Sequence, residues 1–215
     1  MEKGSLESRL LYLPLWVVDK VELWLTYKGI KPGSLLALRR EKGMTQSHVR
    51  RVKKWFVDAG LHYKADPHSK GKNLIVSKDK AVVEEIVGLK FGYQAPQENY
   101  YRLGLLLGYP PKAAKVYASG NKEMLIGPGD EDSPVKDTYE SLYAQFTVRK
   151  GYEKEDIKTA KLWADTIRHD IPRLAQWFEK EASKPLTERK KLYILRKRQQ
   201  KGPDNTSRPK TNDKT

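Results

Sequence analysis

Cysteine is absent from the 215 residues. That excludes a disulfide framework, a thiolate metal site and a cysteine nucleophile, and it makes a reducing compartment the expected setting. Long apolar runs are missing too. Nothing approaches the roughly 18 residues that a membrane span needs, and the stretch 10–28, dense in Leu, Val and Trp, is broken by Asp19, Lys20 and Glu22. The small-residue cleavage pattern of a secretory signal is lacking, so a cytoplasmic chain with no membrane partner is expected. Neither a His-Glu-x-x-His pair nor a Gly-x-x-x-x-Gly-Lys-Ser/Thr loop occurs, which removes two common routes to metal or phosphate chemistry. His62 and His68 could share a metal with Asp66, but they flank a hairpin connector, where exposed polar groups are ordinary. Asp130, Glu131 and Asp132 cluster without the alternating ligands and distal Glu of a calcium loop, and fit a solvated acidic turn. No metal, cofactor or catalytic residue is nominated.

What is abundant is positive charge. Lys and Arg number 42 against 27 Asp and Glu, a formal net charge of +15. The distribution says more than the sum. Residues 1–92 hold 18 basic against 10 acidic side chains, residues 93–185 hold 14 of each, and residues 186–215 hold 10 against 3. A balanced middle between two basic ends points to a polyanionic partner for the ends. The twelve Tyr, five Trp and 38% hydrophobic content support a folded core.

Thr45 to Gly60, TQSHVRRVKKWFVDAG, carries both demands at once. Val49, Val52, Phe56 and Ala59 recur at spacings of three and four and predict one apolar stripe of a helix. His48, Arg50, Arg51, Lys53 and Lys54 fall largely off it. Gln46, Ser47, His48 and Arg50 near the helix start are placed to reach base edges, while Arg51, Lys53 and Lys54, with Lys70 and Lys72 on the following connector, are placed to reach phosphates. Trp55, beside the stripe and among the charges, either widens the core contact or offers a stacking surface, and core packing is the simpler role.

The surroundings follow from punctuation. Residues 10–28 predict a buried helix starting near Pro14 and ended by Gly29 and Pro32. Residues 61–66 and 73–79 predict paired strands, and Asp79 caps a helix with Val82, Val83, Ile86, Val87 and Leu89. Residues 34–42 are ambiguous. If they are helical, the order matches a winged helix with 45–60 as recognition helix; if they form a strand, the region is a small strand-helix-strand-strand-helix domain whose charged helix face is only solvated. Farther on, two short helices flank Gly108-Tyr109-Pro110-Pro111, residues 121–134 read as loop, and 138–148, 156–169 and the segment from Pro172 read as helices. Tyr139, Leu142, Tyr143 and Phe146 stripe the first, and Ile157, Leu162, Trp163 and Ile167 the second. Residues 187–201 predict a basic helix bearing Arg196, Lys197 and Arg198, and the last fourteen residues have the composition of a disordered tail.

The run NLIVSKDKAVVEEI, followed after a spacer by RLGLLLGYP, resembles an uncharacterised prokaryotic domain family. In that family a strand ending in Ser-Lys-Asp leads to a helix and then to a Leu-Gly-Tyr-Pro corner. The resemblance covers about the middle third of the chain. Paired cysteines often follow the corner in the family, whereas Lys112-Ala113-Ala114 stand here. The resemblance thus implies a fold and no established activity.

The expectation is an α+β, mainly helical protein: a basic winged-helix-like domain over 1–92, a helical domain over 93–185, and a basic helix with tail over 186–215. It is expected to bind nucleic acid, DNA before RNA, without catalysis, and its balanced helices offer a homodimer contact. The alternatives are a structural or interaction protein built on a small sheet domain, with RNA as a partner, and an enzyme whose site the sequence does not locate.

Overall fold

Pro14 divides the first apolar stretch, because it lacks an N–H and biases the preceding residue away from helix. The buried helix expected from near Pro14 is α2 (Val17–Tyr27), and a separate short helix, α1 (Leu6–Leu11), precedes it. The computed structural model describes residues 4–38, 44–66, 73–89, 96–127, 132–135, 138–144 and 146–182. Helix α2 buries Val21, Leu23, Trp24 and Leu25. It ends at Gly29, whose φ of 75° is the left-handed turn that glycine adopts without strain.

Residues 34–37 then resolve the ambiguous segment. They belong to strand β1 (Gly33–Ala37), not to a helix, with residues 39–43 outside the described residues. Helix α3 (Gln46–Asp58) follows, then β2 (His62–Ala65) and β3 (Asn73–Ser77). The sheet is antiparallel in the order β1-β3-β2, with Leu35 and Lys64 both opposite Ile75. Ladder energy explains the strand: Leu36 and Ser34 are fully buried on one face, and β3 supplies a partner that the local sequence could not reveal. Because side chains alternate along a strand, Leu36, Leu74 and Val76 join α2 and α3 in the main core, while Ile75 joins Val83 and Ile86 of α4 (Lys80–Gly88) in a second cluster. Asp79 caps α4 by accepting from the Ala81 N–H at 2.8 Å, as its position predicts.

Helices α5 (Gln97–Leu106) and α6 (Pro111–Ala118) meet at the expected corner, where Gly108 has φ 76°. A Cβ there would also lie 3.3 Å from Lys31 Cγ. Residues 121–134 contain more than loop: a short 3₁₀ turn, Lys122–Met124, leads into β4 (Leu125–Ile126). The helix expected over 138–148 stops early, as α7 (Tyr139–Tyr143), and Val148 and Arg149 form β5 opposite β4. Buried Asp156 accounts for that strand, since its carboxylate accepts from both the Arg149 backbone N–H at 2.9 Å and the Arg149 guanidinium. Helix α8 (Glu153–Asp170) buries Ala160, Trp163, Ala164 and Ile167, leaving Leu162 52% exposed, contrary to its place on the expected stripe. Helix α9 (Pro172–Ala182) buries Leu174 and Phe178.

The fold is α+β, and its largest core cluster runs from Leu10 to Phe178, so it draws on both sides of the division expected at 92–93. Trp24 of α2 donates to Asp170 at 3.0 Å, which ties the first long helix to the end of α8. At the same seam Lys31 is 2% exposed, bonded to Glu22 and set 4.4 Å from the Trp163 ring centroid. Among the described residues no helix is long and apolar enough to cross a membrane.

Candidate nucleic-acid interface

Helix α3 starts from a capping box. Thr45 Oγ1 accepts the His48 N–H at 3.4 Å, and the His48 ring accepts the Thr45 N–H at 3.2 Å, so two otherwise orphaned donors are satisfied. Burial then fixes the helix's rotation. Val49, Val52, Trp55 and Phe56 are at most 3% exposed, and each fully buried apolar side chain of this kind stabilises by about 1.5–3 kcal/mol. Trp55 therefore belongs to the core, not to a stacking surface; its indole N–H donates to the Leu6 carbonyl at 3.2 Å. The rings of Tyr27, Trp55, Phe56 and Tyr63 continue one contact to the next, locking α3 between α2 and β2.

The opposite arc is open and mostly polar, with Val57, 68% exposed, as its apolar member. Gln46, Ser47, Arg50, Arg51 and Lys54 are exposed, with His48 and Lys53 intermediate at the edges. Gln46, Arg50, Lys54 and Asp58 stand four apart and form one ridge. Lys54 pairs with Asp58 at 3.0 Å, Arg51 donates to the Tyr12 carbonyl at 3.1 Å, and the Lys53 ammonium lies 5.6 Å from the Tyr63 ring centroid. Arg50 has no partner among the described residues. Arg9 of α1 reaches across to Asp58, adding a cation that the sequence did not nominate; nothing local in α1 signals it, since the two residues are 49 apart in the chain.

Among the described residues, Arg50, Arg51, Lys53 and Lys54 of α3 and Arg9 of α1 thus stand with one carboxylate, Asp58, which pairs with Arg9 and Lys54. Hydrogen bonding from Arg9, then from Lys54, holds the Asp58 carboxyl below its ordinary pKa, so it stays ionised and offsets only part of the charge. The first turn of α3 carries no acidic residue, and the positive end of the helix dipole adds to the local field. Chemically the arrangement presents several cationic donors on one side of the helix, an array that an anion with repeated charges would meet.

Lys70 and Lys72 fall on the 67–72 connector of the β2–β3 hairpin, and Arg196, Lys197 and Arg198 fall beyond residue 182; all five lie outside the described residues. Strand pairing runs to the edge of that connector, where the Asp66 N–H donates to the Asn73 carbonyl at 3.1 Å. Among the described residues no group of three or more acidic or histidine side chains is placed to hold a metal ion. Comparison with protein-family models, curated proteins and solved structures gives no match.

Proposed function

We propose that this chain binds nucleic acid, duplex DNA foremost, through the exposed arc of α3, and that it does so without catalysis. The observation that carries the reading is the separation of the helix into a buried aromatic-aliphatic side and an open side where, among the described residues, one carboxylate stands with five cations. A helix so anchored holds Arg50, Arg51 and Lys54 out toward a phosphate backbone while Gln46 and Ser47 lead at its N-terminus.

The winged-helix form of the proposal changes with β1. The segment left open between helix and strand is a strand, the alternative that the winged-helix order did not use, but α3 still runs between β1 and a hairpin whose connector contains Lys70 and Lys72. That order supports a helix and a lysine-bearing loop acting on one duplex. The same strand also favours a second reading, a small sheet-based interaction module in which the charge of α3 is solvated and RNA is the partner.

Salt titration with both substrates separates them. If Arg50, Arg51, Lys53, Lys54, Lys70 and Lys72 neutralise about six phosphates, log affinity for duplex DNA falls against log salt with a slope of about −5, at ~0.9 per phosphate. A flat salt response overturns the proposal, and tight binding of single-stranded RNA with no duplex preference selects the second reading.

A further inference from the structure

The two core clusters do not merge, and the gap between them is a cavity of about 710 Å³. Its sheet wall is Leu35 and Ile75, which are directly paired across β1 and β3. Leu103 and Ala113 contribute the helical wall from α5 and α6, and Phe146 also lines the half-open cavity. The volume falls within the range of about 300–1,000 Å³ typical of small-molecule sites. Strand alternation puts the cavity on the face of the sheet opposite α3: Ile75 faces it, while Leu74 and Val76 belong to the core that α3 covers.

Its chemistry selects an occupant. Among the described lining residues the polar groups are Asp66, Thr147 and three tyrosines, Tyr100, Tyr109 and Tyr117. None is a cation, in a chain whose net charge is +15. Among these described residues an anionic ligand would meet a carboxylate and no counter-charge to offset its lost hydration. Tyr109 and Phe146 already touch ring to ring at 5.6 Å, leaving aromatic surface along one wall. We infer that this cavity is a binding site for an uncharged, largely apolar aromatic small molecule. The inference is independent of the nucleic-acid reading, since no residue of the cavity lies on α3.

The full chain is titrated with neutral N-phenyl-naphthylamine, and with anilinonaphthalene sulfonate, which adds one negative charge to the same ring system. Saturable, one-to-one binding of the neutral dye is expected, weakened about tenfold or more by Leu35→Trp and by Leu103→Trp, which fill the cavity from two walls. Leu162→Ser, on an exposed position of α8, leaves it unchanged. Far-ultraviolet circular dichroism identifies a variant that has lost its fold, and the other variant then decides. Non-saturable binding overturns the inference, as does binding that neither folded variant weakens, or displacement of the neutral dye by the sulfonate with equal affinity.

Discussion

The ammonium of Lys31 lies 4.4 Å from the centroid of the Trp163 ring and is bonded to Glu22, so a charge just before β1 is enclosed by α2 and α8. Ser34 adds a bond to the same Glu22 carboxylate oxygen at 3.2 Å, and the other oxygen, Oε1, is buried without a hydrogen-bond partner. The pair is a costly way to join a sheet to a helix, and that makes its removal informative.

Losing one member leaves the other charge buried. Lys31→Ala is expected to destabilise by about 3–5 kcal/mol, whereas the double replacement Glu22→Leu/Lys31→Met stays within about 1–2 kcal/mol of the parent. Urea unfolding measures both, and equal losses in the two variants would show that packing and not charge sets the cost.

Burial pushes the Lys31 pKa below its ordinary 10.5, with Glu22 opposing. Between the folded pKa and 10.5 the unfolded chain binds more protons, so stability contributed at this site rises with pH across that interval. The stability of the parent relative to Lys31→Met is expected to climb as pH approaches 10.5 from below. A constant difference between the two proteins over that range contradicts the assignment.

Trp55 tests whether the aromatic ring among the charges touches nucleic acid. Trp55→Phe removes the donor to Leu6 and is expected to cost about 1–3 kcal/mol of stability. Affinity for DNA per folded molecule is expected to stay the same, measured by anisotropy alongside thermal melting. A selective loss of binding with parental stability would place the ring at the interface.

Arg149 and Asp156 form another buried ion pair, with side chains 11% and 2% exposed. Asp156→Ala leaves the guanidinium with only the more exposed Glu155 as a carboxylate partner and frees the β5 backbone N–H, and is expected to cost about 3–5 kcal/mol. Glu155→Gln, at the exposed end of the same network, is expected to cost under about 1 kcal/mol. Paired denaturation curves check the contrast.

The elements legible in the sequence are those whose causes are local. The α3 stripe, the Gly29 stop, the Asp79 cap and the Gly108 corner each depend on residues within a turn or two, and each stands where spacing puts it. The paired strands expected over 61–66 and 73–79 likewise stand as the β2–β3 hairpin, with 78–79 leading into α4. β1 was ambiguous because LLAL serves helix or strand until β3 pairs with it. β5 was missed because its determinant, Asp156, is on the next helix. At the candidate site the cations were legible from their distance off the stripe, but Arg9 was not, because it arrives through tertiary packing. Lys31 gave no signal at all, since an isolated Lys before Pro reads as loop surface until Trp163 covers it.

The central claim is that the open arc of α3 is the binding surface. The most direct measurement is duplex DNA affinity of the parent and of Arg50→Glu/Lys54→Glu at one fixed salt concentration, with the fold followed by circular dichroism. Both positions are exposed, so the fold is expected to survive. The account predicts that the parent binds and the double variant, still folded, does not; equal binding by the two would contradict it.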